Sequence, residues 1–210
     1  MPSRNPTRLP SSRGGDARER VLQTAYELFT RNGVHAVGID RIVAEAGVAK
    51  MTLYRHFRSK DELVQAVLER REQVWTRAWL EREIELRADR PEERLLAIFD
   101  VFDEWFRRDD FEGCLFVNCL VEHHDRSSSI AAESARRLRN VRAVVRRLAE
   151  ESGVGDADRF AAGWQLLMLG SIVSASGGDL DAARHARAAG LLLLEQERRS
   201  SRGRQTSTAE

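Results

Sequence analysis

The chain has 210 residues and a formal net charge of +1, and 42% of its residues are hydrophobic. That hydrophobic content can bury a core, which excludes a wholly disordered chain, and the length fits one large domain or two smaller ones. Two cysteines do not form a disulfide framework, so the composition favours a reducing compartment. The first fifteen residues lack the apolar region of a secretory signal, and no apolar run is long enough to span a bilayer. We therefore expect a cytoplasmic protein.

Charge is unevenly distributed along the chain. Residues 1–60 contain eleven basic and five acidic side chains, a net charge of +6, whereas the remaining residues carry −5. A basic segment on an acidic body is typical of a protein that contacts a polyanion with one end. The alternative is a chance fluctuation, because arginine is frequent throughout the sequence.

The N-terminal quarter begins with a segment, residues 1–15, whose Pro, Ser, Gly and Arg content predicts disorder. Asp16 and Glu19 have the spacing of a capping box, in which each residue would cap the start of a helix. Apolar residues then recur at helical intervals in a first helix that is predicted to end at Gly33. They are Val21, Leu22, Ala25, Leu28 and Phe29.

Three further helices are predicted before residue 90. The second runs from about Ile39 to Ala46 and is followed by Gly47, where a left-handed residue can end a helix without steric cost. The third covers roughly residues 49–57. The fourth begins with a second capping box in "SKDE" (59–62) and extends to about Leu86.

Five more helices are predicted in the rest of the chain, which makes about nine in an all-α protein. One begins at Pro91, a short one lies in "CLFVNCLVE", and the last three cover about 130–151, 156–176 and 180–199. Residues 200–210 are predicted to form a second disordered tail. The helix beginning at Pro91 has an apolar face, consisting of Leu95, Phe99, Phe102 and Phe106.

The stretch "GVAKMTLYRHFRSK" (47–60) contains four basic side chains, a histidine and a tyrosine, but no acid. Two short helices joined by a turn that contains glycine are typical of a helix-turn-helix. On a helical wheel Leu53 and Phe57 share the face toward the core, whereas Met51 and Arg55 point the opposite way. In a major groove such a helix would place Arg55 at base edges, where arginine can bind guanine O6 and N7. The alternative is a basic surface helix that is merely solvated.

The segment "GIDRIVAEAGVAKMTLYRHFRSKDELVQAVL", Gly38 to Leu68, resembles the DNA-binding domain of the TetR family of bacterial transcriptional regulators. The resemblance covers about residues 17–68 and rests on the pattern "AGV-x-K-x-TLY-x-HF-x-SK-x-x-L". It implies a helix-turn-helix DNA-binding domain at 16–60 and a helical ligand-binding and dimerisation domain at 61–199. It also implies a one-component transcriptional regulator, most simply a repressor that binds a palindromic operator as a dimer and is released by a small-molecule effector.

The resemblance further implies DNA contacts from side chains in and around the third helix. They are Lys50, Met51, Thr52, Tyr54, Arg55, His56 and Lys60, with Arg41 on the second helix as a further candidate for contact with the DNA backbone. Family members typically contact phosphates at the positions of Tyr54, His56 and Lys60. Glycine is frequent in the family where Met51 stands, so an apolar contact with a thymine methyl group is expected there instead.

The eighth and ninth predicted helices carry small and apolar residues, including the run "GLLLLEQE" in the ninth. The resemblance implies that these two helices pair with their copies in a second subunit to form a homodimer. The half-sites on DNA would then lie about 34–36 Å apart. Packing of both helices inside one monomer is the alternative.

Aromatic and polar side chains of the body are candidates for an effector pocket by analogy with the family. They are Trp75, Trp79, Phe102, Trp105, Phe106, Asn118, Glu122, Trp164 and Met168. The alternative for each apolar member is ordinary core packing. The identity of the effector does not follow from these residue types.

Other chemistry is weakly indicated. Neighbouring residues of "EHHD" (122–125) diverge on a helix and do not converge on a metal ion, so neither a metal site nor a cofactor is expected. Cys114 and Cys119 would be separated by about 7.5 Å along one helix, which disfavours a disulfide unless Cys114 lies outside it. No motif of an enzyme stands out. A hydrolase that uses Glu122, His123 and His124, and an adaptor that has lost DNA binding, are the rival hypotheses.

Overall fold

The computed structural model of the chain describes residues 16–123, 125 and 127–207, with side chains as far as residue 200. Every regular element in these residues is helical, so the predicted all-α class is confirmed. In chain order the elements are α1 (Ala17–Asn32), α2 (Ile39–Ala46), α3 (Lys50–His56), α4 (Lys60–Arg71), a π-helical segment (Glu72–Glu81), α5 (Arg82–Arg87), α6 (Pro91–Phe106), α7 (Leu115–Glu122), α8 (Ser129–Glu151), α9 (Ala157–Ser176) and α10 (Ala182–Ser207).

Two elements differ from their predicted extents. The helix that begins at Lys60 becomes π-helical over Glu72–Glu81 before it ends as α5, where one continuous α-helix was predicted. Residue counting cannot detect this change, because a π-helical turn is wider than an α-helical turn and shifts the faces of the residues that follow. The last helix, α10, continues past the predicted end at Arg199 to Ser207. The predicted N-terminal tail and residues 208–210 lie outside the described residues.

The helices form two compact units, and the chain passes between them more than once. Of the described residues, the first unit contains those up to Ala78 together with those within Cys114–Leu138, and the second contains Trp79–Gly113 and those from Arg139 onward. The functional division predicted at residue 60 is a different one and stays a prediction. Among the described residues no helix combines the length and apolar character needed to cross a membrane.

In the first unit, α1 to α4 pack around a small apolar core. All five apolar residues predicted for one face of α1 are buried, and so are Ile42, Leu53 and Phe57. The capping box predicted at Asp16 and Glu19 is wrong. Asp16 precedes α1 without a side-chain cap, and the carboxylate of Glu19 instead accepts two bonds of 2.6 Å from the guanidinium of Arg70.

Buried charged side chains are paired in the first unit where the π-helical segment meets α8. Arg137 of α8 forms an ion pair with Glu72, and its Nε donates to Glu133 at 2.7 Å. Only 3% of Glu72 and 8% of Arg137 is exposed. Nearby, the buried Arg71 donates to the hydroxyl of Tyr26 at 2.9 Å. These groups are expensive to desolvate, so the contacts between them matter more than those of surface pairs.

The core of the second unit is aromatic. The predicted apolar face of α6 is confirmed, because Leu95, Phe99, Phe102 and Phe106 are all buried. Helix α10 packs closely here because Gly190 has no side chain. A Cβ at Gly190 would lie 2.8 Å from the ring of Trp164 and 3.2 Å from that of Phe99. Trp164 is fully buried against Phe160 and Phe99.

Candidate nucleic-acid interface

Helix α3 presents one face to solvent and buries the other. Leu53 and Phe57 are buried at 0% and 2% exposure, as their spacing predicts. On the opposite side Met51 is 74% exposed, and the side chain of Arg55 is exposed without a hydrogen bond or ion pair to any described residue. The apolar pair therefore fixes the rotation of α3 and leaves Met51 and Arg55 available to a partner.

The flanks of this face carry the remaining polar side chains of α3. Tyr54 is 40% exposed, whereas Thr52 and His56 are half-buried. No side chain caps the N-terminus of α3, since Ala49 stands at the capping position. Within the first turn the N–H of Thr52 donates to the carbonyl oxygen of Ala49 at 2.9 Å.

Gly47 sets the direction of α3 relative to α2. Its φ of 63° and ψ of 42° lie in the left-handed region, as the sequence predicts. The N–H of Gly47 donates to Ala44 and that of Val48 donates to Val43 at 3.1 Å, which closes the end of α2. A residue with a Cβ is strained in this conformation, so glycine keeps the turn tight.

Three of the predicted cations already have partners within the protein. Lys50 forms an exposed ion pair with Asp40 at 2.7 Å, and this hydrogen bond raises the pKa of Lys50. Arg41 pairs with Glu45 at 2.8 Å. Surface pairs of this kind contribute little to stability, so an external anion can compete for both cations.

Lys60 is the third of these cations, and its partner is a backbone group instead of a carboxylate. Its ammonium group donates to the carbonyl oxygen of Val34 at 2.6 Å. Burial lowers the pKa of Lys60, while the nearby carboxylates of Glu122 and Asp61 act in the opposite direction.

Ser59 caps α4 by accepting the N–H of Glu62 at 3.1 Å, and the carboxylate of Glu62 accepts the N–H of Arg58. The predicted cap at Ser59 is therefore confirmed, whereas the carboxylate of Glu62 binds the N–H of the residue before the cap and not that of Ser59 itself.

The candidates for an effector pocket are divided between the two compact units. In the second unit Trp79 contacts Trp105, which also packs on Phe102 and Phe106. Trp164 and Met168 are buried in the same unit. Trp75, Asn118 and Glu122 belong to the first unit, where Asn118 is exposed.

Glu122 has a structural role that its sequence position does not predict. Its carboxylate accepts the N–H groups of Val34 and His35, and its carbonyl oxygen lies 2.9 Å from Nε2 of His35. These partners are 87 and 88 positions away in the chain, so no local pattern could indicate the contact. The hydrolase hypothesis needs this carboxylate free and also needs His124, which lies outside the described residues.

The two cysteines are free thiols. Burial raises the pKa of Cys119 to about 12 and also raises that of Cys114. Cys114 stands at the N-cap of α7, just outside the helix. Both thiols are therefore poor nucleophiles at neutral pH. Within the part of the chain that the structure describes, no group of three or more His, Cys, Asp or Glu side chains is arranged to hold a metal ion.

The fold and this exposed surface define an all-helical protein of the helix-turn-helix class. Residues 21–67 match the model of the family described as "Bacterial regulatory proteins, tetR family". The chain is 46% identical over 68 residues to the transcriptional activator FasR of Mycolicibacterium smegmatis, and 48% identical over 50 residues to the uncharacterised regulator YxaF of Bacillus subtilis. These segments cover 32% and 23% of the chain, and 30% and 26% of the two relatives.

Solved structures resemble the chain over most of its length. A TetR-family transcriptional regulator from Streptomyces coelicolor has a TM-score of 0.79 and 27% identity, with 87% of this chain and 90% of that chain covered. The reduced form of NemR from E. coli has a TM-score of 0.71 and 25% identity, with 83% and 95% covered. Residues 21–67 are therefore similar to the N-terminal domain of TetR-family regulators, and the chain shares its fold over most of its length with a solved member of that family.

Proposed function

We propose that the protein is a one-component repressor that binds a palindromic operator as a homodimer. The observation that carries this proposal is the surface of α3, where Leu53 and Phe57 are buried while Met51 and Arg55 are exposed. Residues 16–60 would form the DNA-binding domain and residues 61–199 the effector-binding and dimerisation domain. Since DNA is the ligand, the protein would act in the cytoplasm.

The proposed DNA contacts divide into two groups. Arg55 and Met51 would read bases in the major groove, arginine through guanine and methionine through a thymine methyl group. The other candidates would hold phosphates, which fixes the register of α3 without reading sequence. They are Arg41, Lys50, Thr52, Tyr54, His56 and Lys60. A phosphate at Lys60 would have to take the ammonium from the Val34 carbonyl or share it.

The proposed dimer would form through α9 and α10. Leu166, Gly170 and Val173 recur at helical spacing on an exposed stripe of α9, and Leu191 and Leu192 are exposed on α10. Exposed aliphatic residues in one stripe of a monomer mark an interaction surface. A two-fold axis would place each stripe against its copy, and a dimer would let two α3 helices reach two half-sites.

Replacing Leu166 by glutamate is expected to weaken dimerisation at least tenfold. Leu166 is 72% exposed, so the change should leave the monomer folded but bury two charges in the proposed interface. The matched control is Leu86→Glu on α5, since Leu86 is 69% exposed in the same unit. Sedimentation equilibrium measures both variants. Equal dissociation constants for the two variants would rule out α9 as part of the interface.

A small-molecule effector is proposed to bind among the aromatic side chains of the second unit, near Trp79, Phe102 and Trp105. Such a ligand releases DNA only to the extent that it prefers the conformation that does not bind DNA. A full switch needs about 5.5 kcal/mol of preference. Large apolar rings suit a ligand with substantial apolar surface.

The proposal is tested by enriching duplexes from a random pool on the purified protein and sequencing them. We expect one sequence with two-fold symmetry and half-sites about one helical turn apart. A pool that stays random would refute sequence-specific DNA binding and favour an adaptor.

Activation is the alternative outcome of the same binding, because the similar FasR is named as an activator. Expression of a reporter gene placed downstream of the enriched sequence distinguishes repression from activation. Higher expression without the protein supports repression, and lower expression supports activation.

A further inference from the structure

We propose that Glu122 is a positioning residue for DNA binding, because its carboxylate holds the turn between α1 and α2 in the conformation that presents α3 to DNA. This inference rests on the proposed function. Glu122 is the last residue of α7, and the turn that it contacts directly precedes α2 in the helix-turn-helix. All the residues involved lie in the first compact unit.

Both the carboxylate and the main-chain carbonyl oxygen of Glu122 contact the turn. Its Oε2 accepts the N–H of Val34 at 2.8 Å and that of His35 at 3.0 Å. Its main-chain oxygen lies 2.9 Å from Nε2 of His35, and the His35 ring stacks on that of His123 with centroids 4.6 Å apart. Charge-assisted hydrogen bonds to two consecutive backbone N–H groups fix a turn more firmly than neutral bonds do.

Gly33 makes this approach possible. Its φ of +79° lies in the left-handed region, and a Cβ built there would lie 2.3 Å from Oε1 of Glu122. Any larger residue would therefore be strained and would displace the carboxylate. Because Gly33 has no side chain, the carboxylate of Glu122 at the end of α7 can approach the turn.

Lys60 holds the turn from the other side. Its ammonium group donates to the carbonyl oxygen of Val34 at 2.6 Å, while Glu122 binds the N–H of the same residue. The side chain of Val34 is buried as well. Val34 is thus fixed through its N–H by α7, through its C=O by α4 and through its side chain by the core.

The direction in which DNA affinity changes when Glu122 is replaced distinguishes this positioning role from mere repulsion between the carboxylate and DNA phosphates. Removing a carboxylate from a DNA-binding unit reduces repulsion of phosphates and should by itself tighten binding. Releasing the turn has the opposite effect, because DNA then binds only the fraction of molecules in which α2 and α3 are correctly placed. We therefore expect weaker binding when Glu122 is replaced.

The test compares Glu122→Ala and Glu122→Gln with the control Glu69→Gln, with the enriched duplex as the probe. Glu69 is exposed on α4 in the same unit, and the bond it accepts from Gln73 is long, at 3.5 Å. Fluorescence anisotropy measures affinity, and hydrogen exchange followed by mass spectrometry measures protection of the amides of Val34 and His35. Exchange requires no DNA, so it reports on the contact even if the proposed function fails.

Glu122→Ala is expected to weaken binding roughly tenfold or more, with faster exchange at both amides. Glu122→Gln should fall between this variant and the wild type, and it keeps the test informative if the alanine variant does not fold. Glu69→Gln should bind as well as the wild type or slightly tighter. Unchanged or tighter binding by both Glu122 variants would overturn the positioning role. Failure of the wild type to bind DNA would instead overturn the proposed function.

Discussion

An Arg55→Ala variant is expected to lose most of its preference for the enriched duplex over a scrambled one. A two-pronged contact between arginine and guanine is worth about 1–3 kcal/mol of discrimination against the wrong base, and a dimer would lose it in both half-sites. Arg55 is exposed and has no side-chain partner among the described residues, so its removal should not affect folding. Affinity for the scrambled duplex should fall only by the amount that results from losing one positive charge in each subunit.

The matched control is Arg58→Ala, which removes the same charge just after α3. The side chain of Arg58 is exposed and is not among the proposed base contacts. We expect it to weaken binding of both duplexes alike and to make the salt dependence slightly shallower. Titrations of both variants against both duplexes at two salt concentrations measure this difference. Parallel losses in both variants would show that the division into base and backbone contacts is wrong.

An Arg137→Ala variant is expected to lose about 3–5 kcal/mol of stability, because it leaves the buried carboxylate of Glu72 without its partner on α8. For a chain of this length the loss corresponds to a fall in melting temperature on the order of 10 °C. Removing both charges together, with leucine at Glu72 and at Arg137, should cost less than Arg137→Ala alone, since the buried carboxylate is then removed together with its partner on α8.

Arg136→Ala is the control for this prediction. Arg136 is the neighbour of Arg137 on α8, and it pairs with Glu133 at 2.6 Å while its own side chain remains 49% exposed. Its loss should cost at most about 1 kcal/mol. Thermal unfolding of the three variants followed by circular dichroism gives the comparison. Equal losses for Arg136→Ala and Arg137→Ala would mean that burial of the Glu72 pair is not what stabilises this part of the unit.

The helix-turn-helix was predictable from the sequence because its signals are local. These signals are the helical spacing that buries Leu53 and Phe57, the left-handed Gly47 and the cap at Ser59. Each depends on residues within a few positions of one another. Local patterns also predicted most helix ends. They placed the start of α1 correctly after Asp16 but not the capping bonds there, because the carboxylate of Glu19 accepts from Arg70 of α4.

The remaining features depend on contacts that sequence spacing does not encode. The carboxylate of Glu122, which the sequence offers as a candidate for an effector pocket, binds backbone amides 87 and 88 positions away, and no local pattern predicts that contact. The pair of Arg137 and Glu72 joins residues 65 positions apart, and charged residues in a helix are ordinarily read as surface residues. The π-helical segment likewise gives no periodic signal, so one long helix was the simplest prediction.

The ratio of affinities for the enriched and scrambled duplexes at physiological salt is the measurement that tests the central proposal most directly. If α3 reads bases as proposed, the wild-type protein should bind the enriched palindrome roughly 10³-fold or more tightly than the scrambled duplex. Equal affinities with the same salt dependence would mean that the basic surface of α3 binds only phosphates, and would contradict the proposed function.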